Sequence, residues 1–216
     1  YLGFSFFEID DYSYYNFKSL KYIIFNNDLE NVTLKINQEN LYNLELQRKN
    51  KLDGLSTEVA KFSRASLNHN QKDFKIKLRV KGDRVLHWYD KNQTSYRIDI
   101  RGDERIWGLE EFSVQKPITR NYIYEYIFHR FLERNDLIAL KYFFVNLSLN
   151  DNKQGIYAVE EGFSKELIER NKKRNGPIFG VEESKSFNYP KIEYDLYSQK
   201  FWQSNYSELI KSAYEK

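Results

Sequence analysis

The segment Asp73–Lys81 has an unusually clear alternation. Phe74, Ile76, Leu78 and Val80 are interleaved with Lys75, Lys77, Arg79 and Lys81. Successive side chains of a strand point to opposite faces, so this pattern predicts a strand with one core face and one row of cations. Such a strand needs neighbours on both edges and a layer beneath its apolar face, which excludes an all-helical chain. Two readings of the cation row stay open at this point: a solvated outer face, or a surface that meets anions.

The flanking sequence supplies partners. Val59–Leu67 reads as the other arm of a hairpin, joined through the polar stretch Asn68–Lys72. Tyr96–Ile100 is a further strand, broken by Gly102-Asp103, and Glu111–Gln115 a short one. Tyr142–Leu149 and Gly155–Glu160 form a second hairpin around Asn150–Lys153. Ahead of these, Val32, Leu34 and Ile36 alternate as a strand, and Gln38–Leu52 reads as an amphipathic helix ended by Asp53-Gly54. A second helix is predicted from Thr119, as N-cap, to Arg134. Its apolar face would hold Ile123, Tyr124, Ile127, Phe128, Phe131 and Leu132, with Glu125 at the edge and His129 toward solvent. Ser164 caps a third helix, which Asn175-Gly176-Pro177 ends. The expected fold class is α+β: an antiparallel sheet from residues 59–67, 74–81, 95–101, 142–149 and 155–160, with helix 119–134 packed on one face.

Composition narrows the chemistry. The 216 residues contain no cysteine, which excludes disulfides, thiolate metal sites and cysteine nucleophiles. The three histidines, His69, His87 and His129, show no metal-ligand spacing, and no metal site is expected within the chain. A net charge of +3 is too small a bias to argue for nucleic acid, so no nucleic-acid partner is expected. No apolar run is long enough to span a bilayer. There is no methionine and residue 1 is a tyrosine, so the sequence is expected to be part of a longer or processed chain.

One constellation suggests phosphate chemistry. Phosphoryl transfer needs cations on the phosphates, a carboxylate that holds a cation in place, a hinge for the base and metal-binding acids. Arg97 lies mid-strand, where a cation facing a cleft needs a partner, and Glu125 on the helix is the candidate. A structural salt bridge between sheet and helix is the other reading of that pair. Lys81-Gly82-Asp83 follows the cationic strand, where a glycine lets backbone approach a phosphate beside Arg79 and Lys81. Val159, Glu160 and Glu161 stand where a strand would leave one lobe for the next.

The stretch from about Phe74 to Glu183 resembles the CotH kinase-like family, named for spore-coat protein H. The residues that carry the resemblance are Lys77–Asp83, Ser95–Ile98, Trp107–Leu109 with Phe112, Ser113 and Gln115, then Thr119–Glu125, Phe144–Leu147 and Gly155–Glu161. It implies a much-altered protein-kinase fold: an N-terminal extension (1–56), a kinase-like N-lobe (57–161) and the start of a C-lobe (162–216). It implies transfer of phosphate from ATP to protein Ser/Thr when the protein is complete, with Mg2+ bound by acids outside this chain. By the same resemblance Arg97 and Glu125 would be catalytic, and Arg79, Lys81, Gly82, Arg97, Val159, Glu160 and Glu161 would hold the nucleotide. Where many members carry a lysine two positions after the strand arginine, this chain has Asp99. The alternative is a non-catalytic CotH-like surface-binding or adhesion module. The compartment stays open, with the bacterial envelope or exterior favoured.

Overall fold

The computed structural model describes residues 18–21, 28–53, 61–82, 85–89, 94–174, 176–181, 194–196, 204 and 206–208. Two units divide the chain, residues 1–162 and 163–216.

The first unit is a closed barrel of seven strands in the order β1-β2-β3-β4-β5-β7-β6. The strands are β1 (Asn31–Lys35), β2 (Ser63–His69), β3 (Lys72–Val80), β4 (Tyr96–Ile100), β5 (Glu111–Gln115), β6 (Tyr142–Leu149) and β7 (Asn152–Glu161). This corrects the expected fold. The open antiparallel sheet, and the kinase N-lobe it was to form, are replaced by a barrel of mixed sense. The cause is β1, read from sequence as part of an extension. It pairs antiparallel with β2 and parallel with β6, setting Leu34 against both Leu67 and Leu149. One five-residue strand thus satisfies two edges that an open sheet would leave unpaired.

Alternation then fills the inside. Leu34, Leu67, Ile76, Leu78, Ile98, Phe112, Val114, Val145 and Val159 are buried in one cluster, so the barrel is packed with side chains. The β2–β3 hairpin turns on Asn70 and Gln71, both at positive φ (49° and 64°), the backbone sign that matches strand twist. Helix α1 (Gln38–Leu52) follows β1 directly, capped by the Asn37 side chain on the Asn40 N–H. Leu41 and Leu44 pack it on the barrel core. Asn40, Gln47 and Lys51 donate to the carbonyls of Arg64 (2.8 Å), Lys61 (2.7 Å) and Gly82 (2.8 Å).

Helix α2 (Tyr124–Arg134) lies on the outside of β6 and β7. Thr119 does not cap it. Residues Pro117–Arg120 form a separate 3-10 turn, and Asn121 and Tyr122 take left-handed backbone (φ 47° and 62°) before the helix begins. This offset rotates the helix from the expected face. Ile123, Tyr122, Tyr124 and Tyr126 pack against Tyr142, Phe144 and Ala158. His129 is buried, while Ile127, Phe128 and Phe131 are 52, 52 and 58% exposed. Among the described residues no helix is long and apolar enough to cross a membrane.

In the second unit, α3 (Lys165–Arg170) is capped by Ser164, whose hydroxyl accepts from the Leu167 N–H. Strands β8 (Phe179–Val181) and β9 (Tyr194–Leu196) pair antiparallel.

Candidate anion site on the outer face of the barrel

The barrel's register brings polar side chains together on its outer surface. Along one row, Arg79 faces Arg97, Arg97 faces Ser113, Ser113 faces Glu160 and Glu160 faces Tyr142. All lie opposite the inward set Ile98, Phe112 and Val159. Lys81, just past β3, is fixed by its N–H on the Ser95 carbonyl (2.9 Å). Its ammonium donates to Glu160 Oε1 (2.9 Å) and to Gln115 Oε1 (3.0 Å). Gln115 Nε2 donates to the second Glu160 oxygen at 2.5 Å. Arg120, from the 3-10 turn, approaches that oxygen with Nε at 3.8 Å. That Nε is buried and makes no hydrogen bond among the described residues.

One carboxylate therefore serves two cations, with Arg97 a third close enough to be felt. Burial pushes the Glu160 carboxyl up, but the charge and hydrogen bond of Lys81, then Arg120, hold it below the usual carboxylate range. An isolated ion pair would hold its amine up in return. Here the Lys81 ammonium is also lowered. Burial is the main cause and Glu160 opposes it, while Arg120 and Arg97 add to the lowering. Glu160 is held low by the cations around it, whereas Lys81 is low chiefly because burial penalises its charge, with Arg120 and Arg97 adding to that. The Tyr142 hydroxyl is pushed up by burial and by the charge of Glu160.

The expected residues divide. Lys81, Arg97 and Glu160 belong to this cluster, and Arg79 stands at its margin across from Arg97. Arg97 and Glu125 do not form the expected pair. Arg97 bonds Glu111 at 2.7 Å, and Glu125 faces His129 on its own helix at 3.5 Å. The reason is topological: α2 covers β6 and β7, and β5 separates β7 from β4. Val159 is wholly buried inside the barrel. Backbone at 159–161 is paired with β5 on one side and β6 on the other, which leaves no open strand edge to meet a base. The buried Glu161 carboxylate accepts from the Lys141 N–H (2.7 Å). Gly82 has φ +84°, and a Cβ there would sit 2.3 Å from the His87 ring. Its glycine is required by that close approach, and its carbonyl is taken by Lys51 and the Trp88 indole.

Gln115, Arg120 and Tyr142 were given no site role in the sequence reading. The signal for Gln115 was present: it shares a strand face with Ser113, opposite Phe112 and Val114. Arg120 and Tyr142 reach the site only through the 3-10 turn and the β6–β7 register.

Glu160 and Glu111 each already hold a cation. The donor set thus fits an anion rather than a metal ion. Among the described residues no group of three or more His, Asp or Glu side chains could hold a metal. No known family model matches the chain, and no curated protein sequence matches it.

Proposed function

We propose that this chain binds the phosphates of a nucleotide, ATP in the first instance, at the Lys81–Glu160 cluster. The observation that supports this is the convergence of Lys81 and Arg120 on a single carboxylate, with Arg97 beside them. Lys81 and Glu160 are the fixed floor, each side chain 14% exposed. Arg97 and Arg120 form the reachable rim, at 24 and 29%. An incoming phosphate gains charge-assisted bonds from guanidiniums whose planar forks suit it. The CotH-like resemblance extends the proposal to transfer from ATP to protein Ser/Thr by a longer protein, with Mg2+ and its acids supplied elsewhere. The adhesion-module alternative is favoured by one feature, the exposed Ile127, Phe128 and Phe131 on α2.

Calorimetric titration with ATP, tripolyphosphate and adenosine tests the proposal. ATP and tripolyphosphate are expected to bind, more weakly as salt rises, and adenosine not to bind. Arg120→Ala is expected to weaken both about tenfold, the loss of one charge-assisted hydrogen bond. Adenosine binding as tightly as ATP, or affinities untouched by Arg120→Ala, would remove the phosphate site. If neither ATP nor tripolyphosphate binds, the adhesion-module reading takes its place.

A further inference from the structure

A second region, which meets the Lys81 cluster only at Arg79, has the chemistry of a polymer site. A groove of about 1050 Å³ runs between α1 and the first half of β2. Its helical wall carries Asn40, Asn43, Gln47 and Asn50, spaced three, four and three residues apart and so on one helix face. Leu41, Leu44 and Arg48 occupy the adjoining face, which packs on the barrel. Asn40 ties the helix to β2, and Gln47 ties it to Lys61 just ahead of that strand. Asn43 and Asn50 line the groove with no side-chain hydrogen bond among the described residues. The facing wall carries Lys61 and Phe62, just ahead of β2, and Arg64 on it. Phe62 is an exposed ring with the Lys77 ammonium 4.8 Å and the Arg79 guanidinium 5.5 Å from its centroid.

The cation row of β3 adjoins this wall, Arg64 standing directly across from Lys77. Lys75, Lys77 and Arg79 recur every second residue, a step of about 6.6–6.8 Å along the strand. Arg64, Lys75 and Arg101 are exposed and make no ion pair among the described residues. Lys77 is paired with Asp99 at 3.1 Å and Glu39 lines the groove, so Arg64, Lys75 and Arg101 supply the cations that carry no carboxylate of their own among the described residues.

We propose that this groove and the adjoining outer face of β3 bind single-stranded nucleic acid. Three features must be matched by one ligand: regularly spaced cations, a π-face set among them, and amides that both donate and accept. A single strand presents repeated phosphates, stackable bases and base edges, and so meets all three. An acidic polysaccharide or acidic peptide supplies the charge but no run of stacking bases. This assignment reverses the expectation drawn from net charge. It does not depend on the ATP proposal.

The test is fluorescence anisotropy of the full chain with a labelled fifteen-nucleotide oligo(dT), with heparin and polyglutamate as competitors. Binding is expected at about 50 mM salt, with a log–log salt slope near −2 to −3 for three or four phosphate contacts. Arg64→Glu with Lys75→Glu is expected to weaken it at least tenfold and flatten the slope. Phe62→Ala is expected to weaken oligo(dT) about tenfold and leave heparin unchanged, because stacking is lost and charge is kept. Arg120→Ala should leave oligo(dT) affinity unchanged, which separates this site from the Lys81 cluster. No binding at low salt overturns the proposal. So does a Phe62→Ala variant with unchanged oligo(dT) affinity, which would make the face a general polyanion surface.

Discussion

Strand β5 is buried on both faces, and the two faces are buried in different chemistry. Inward, Phe112 and Val114 meet the apolar barrel core. Outward, Ser113 and Gln115 are as well buried, at 2 and 0% exposure, yet they sit among Lys81, Glu160 and Arg120. Apolar burial needs no explanation beyond folding, since it removes hydrocarbon from water. Polar and ionic burial works against folding unless every partner is supplied, and is often no better than an apolar substitute. The inner face therefore accounts for why the barrel holds together. The outer face invites a second explanation, and the excess of cations around Glu160 gives it a direction.

The largest effect is expected from the inner face. Phe112 is fully buried and meets Trp107 edge-on at 5.5 Å between centroids. Phe112→Ala should destabilise the chain by about 3–5 kcal/mol, through lost burial and the cavity left behind. Urea unfolding checks this. A loss under about 1 kcal/mol would mean that the barrel interior collapses around the gap, and the contrast between the faces would lose its inner half.

Most of the inner face was legible in the sequence because period-2 alternation is a local property. The β3 pattern, the 70–71 turn region and α1 can each be read from a few neighbouring residues. Closure was not legible. That β1 pairs with β6 as well as with β2 depends on register between segments more than a hundred residues apart, and no local pattern encodes it. The face of α2 was misread for a related reason. Its apolar count favoured Ile127, Phe128 and Phe131, but left-handed backbone at Asn121 and Tyr122 sets the helix so that tyrosines and His129 face the barrel. The cluster was half legible: Lys81 and Arg97 were chosen as cations near a phosphate, but Glu160 was chosen only as hinge backbone, and Arg97 was paired with the wrong carboxylate. Its partner is set by strand order, which places β5 and Glu111 beside it and leaves Glu125 beyond β7.

The outer face is expected to respond in a way the inner face cannot. Glu160→Gln leaves Lys81 and Arg120 without their shared anion, and should cost about 3 kcal/mol, the low end for breaking a buried pair because some solvent contact remains. Replacing the pair together, Lys81→Met with Glu160→Leu, should restore much of that loss, since apolar residues of similar size often substitute for a buried pair without penalty. No such rescue exists for Phe112→Ala. The pH dependence gives a second check. The folded Glu160 carboxyl is held below its unfolded value of 4.5. Its contribution is therefore complete above that value and fades as pH falls through the folded one. The difference between the original chain and Glu160→Gln should be flat toward neutrality and narrow below about pH 4.5. Lys81, also lowered, acts at the other end: stability should rise as pH climbs from its folded value toward 10.5, where the unfolded chain still holds the proton. A difference that widens on acidification would mean that Glu160 is not held ionised by its neighbours.

The smallest effect separates buried charge from charge as such. Lys72 and Glu104 form an ion pair at 2.7 Å on the same barrel, but their side chains are 58 and 45% exposed. Water and salt screen such a pair, and ordering two long side chains offsets most of its attraction. Lys72 also lies over the Phe74 ring at 4.7 Å, so a single substitution would mix two contacts. A double-mutant cycle with Lys72→Ala and Glu104→Ala isolates the pair. The expected coupling is about 0.5 kcal/mol or less in low salt, vanishing at high salt. The same cycle on Lys81 and Glu160 should return a coupling several times larger that survives salt. If the two cycles agree in size and salt dependence, burial has added nothing to the Lys81 cluster. The outer face of β5 would then be an ordinary charged surface covered by its neighbours, with no claim to a ligand.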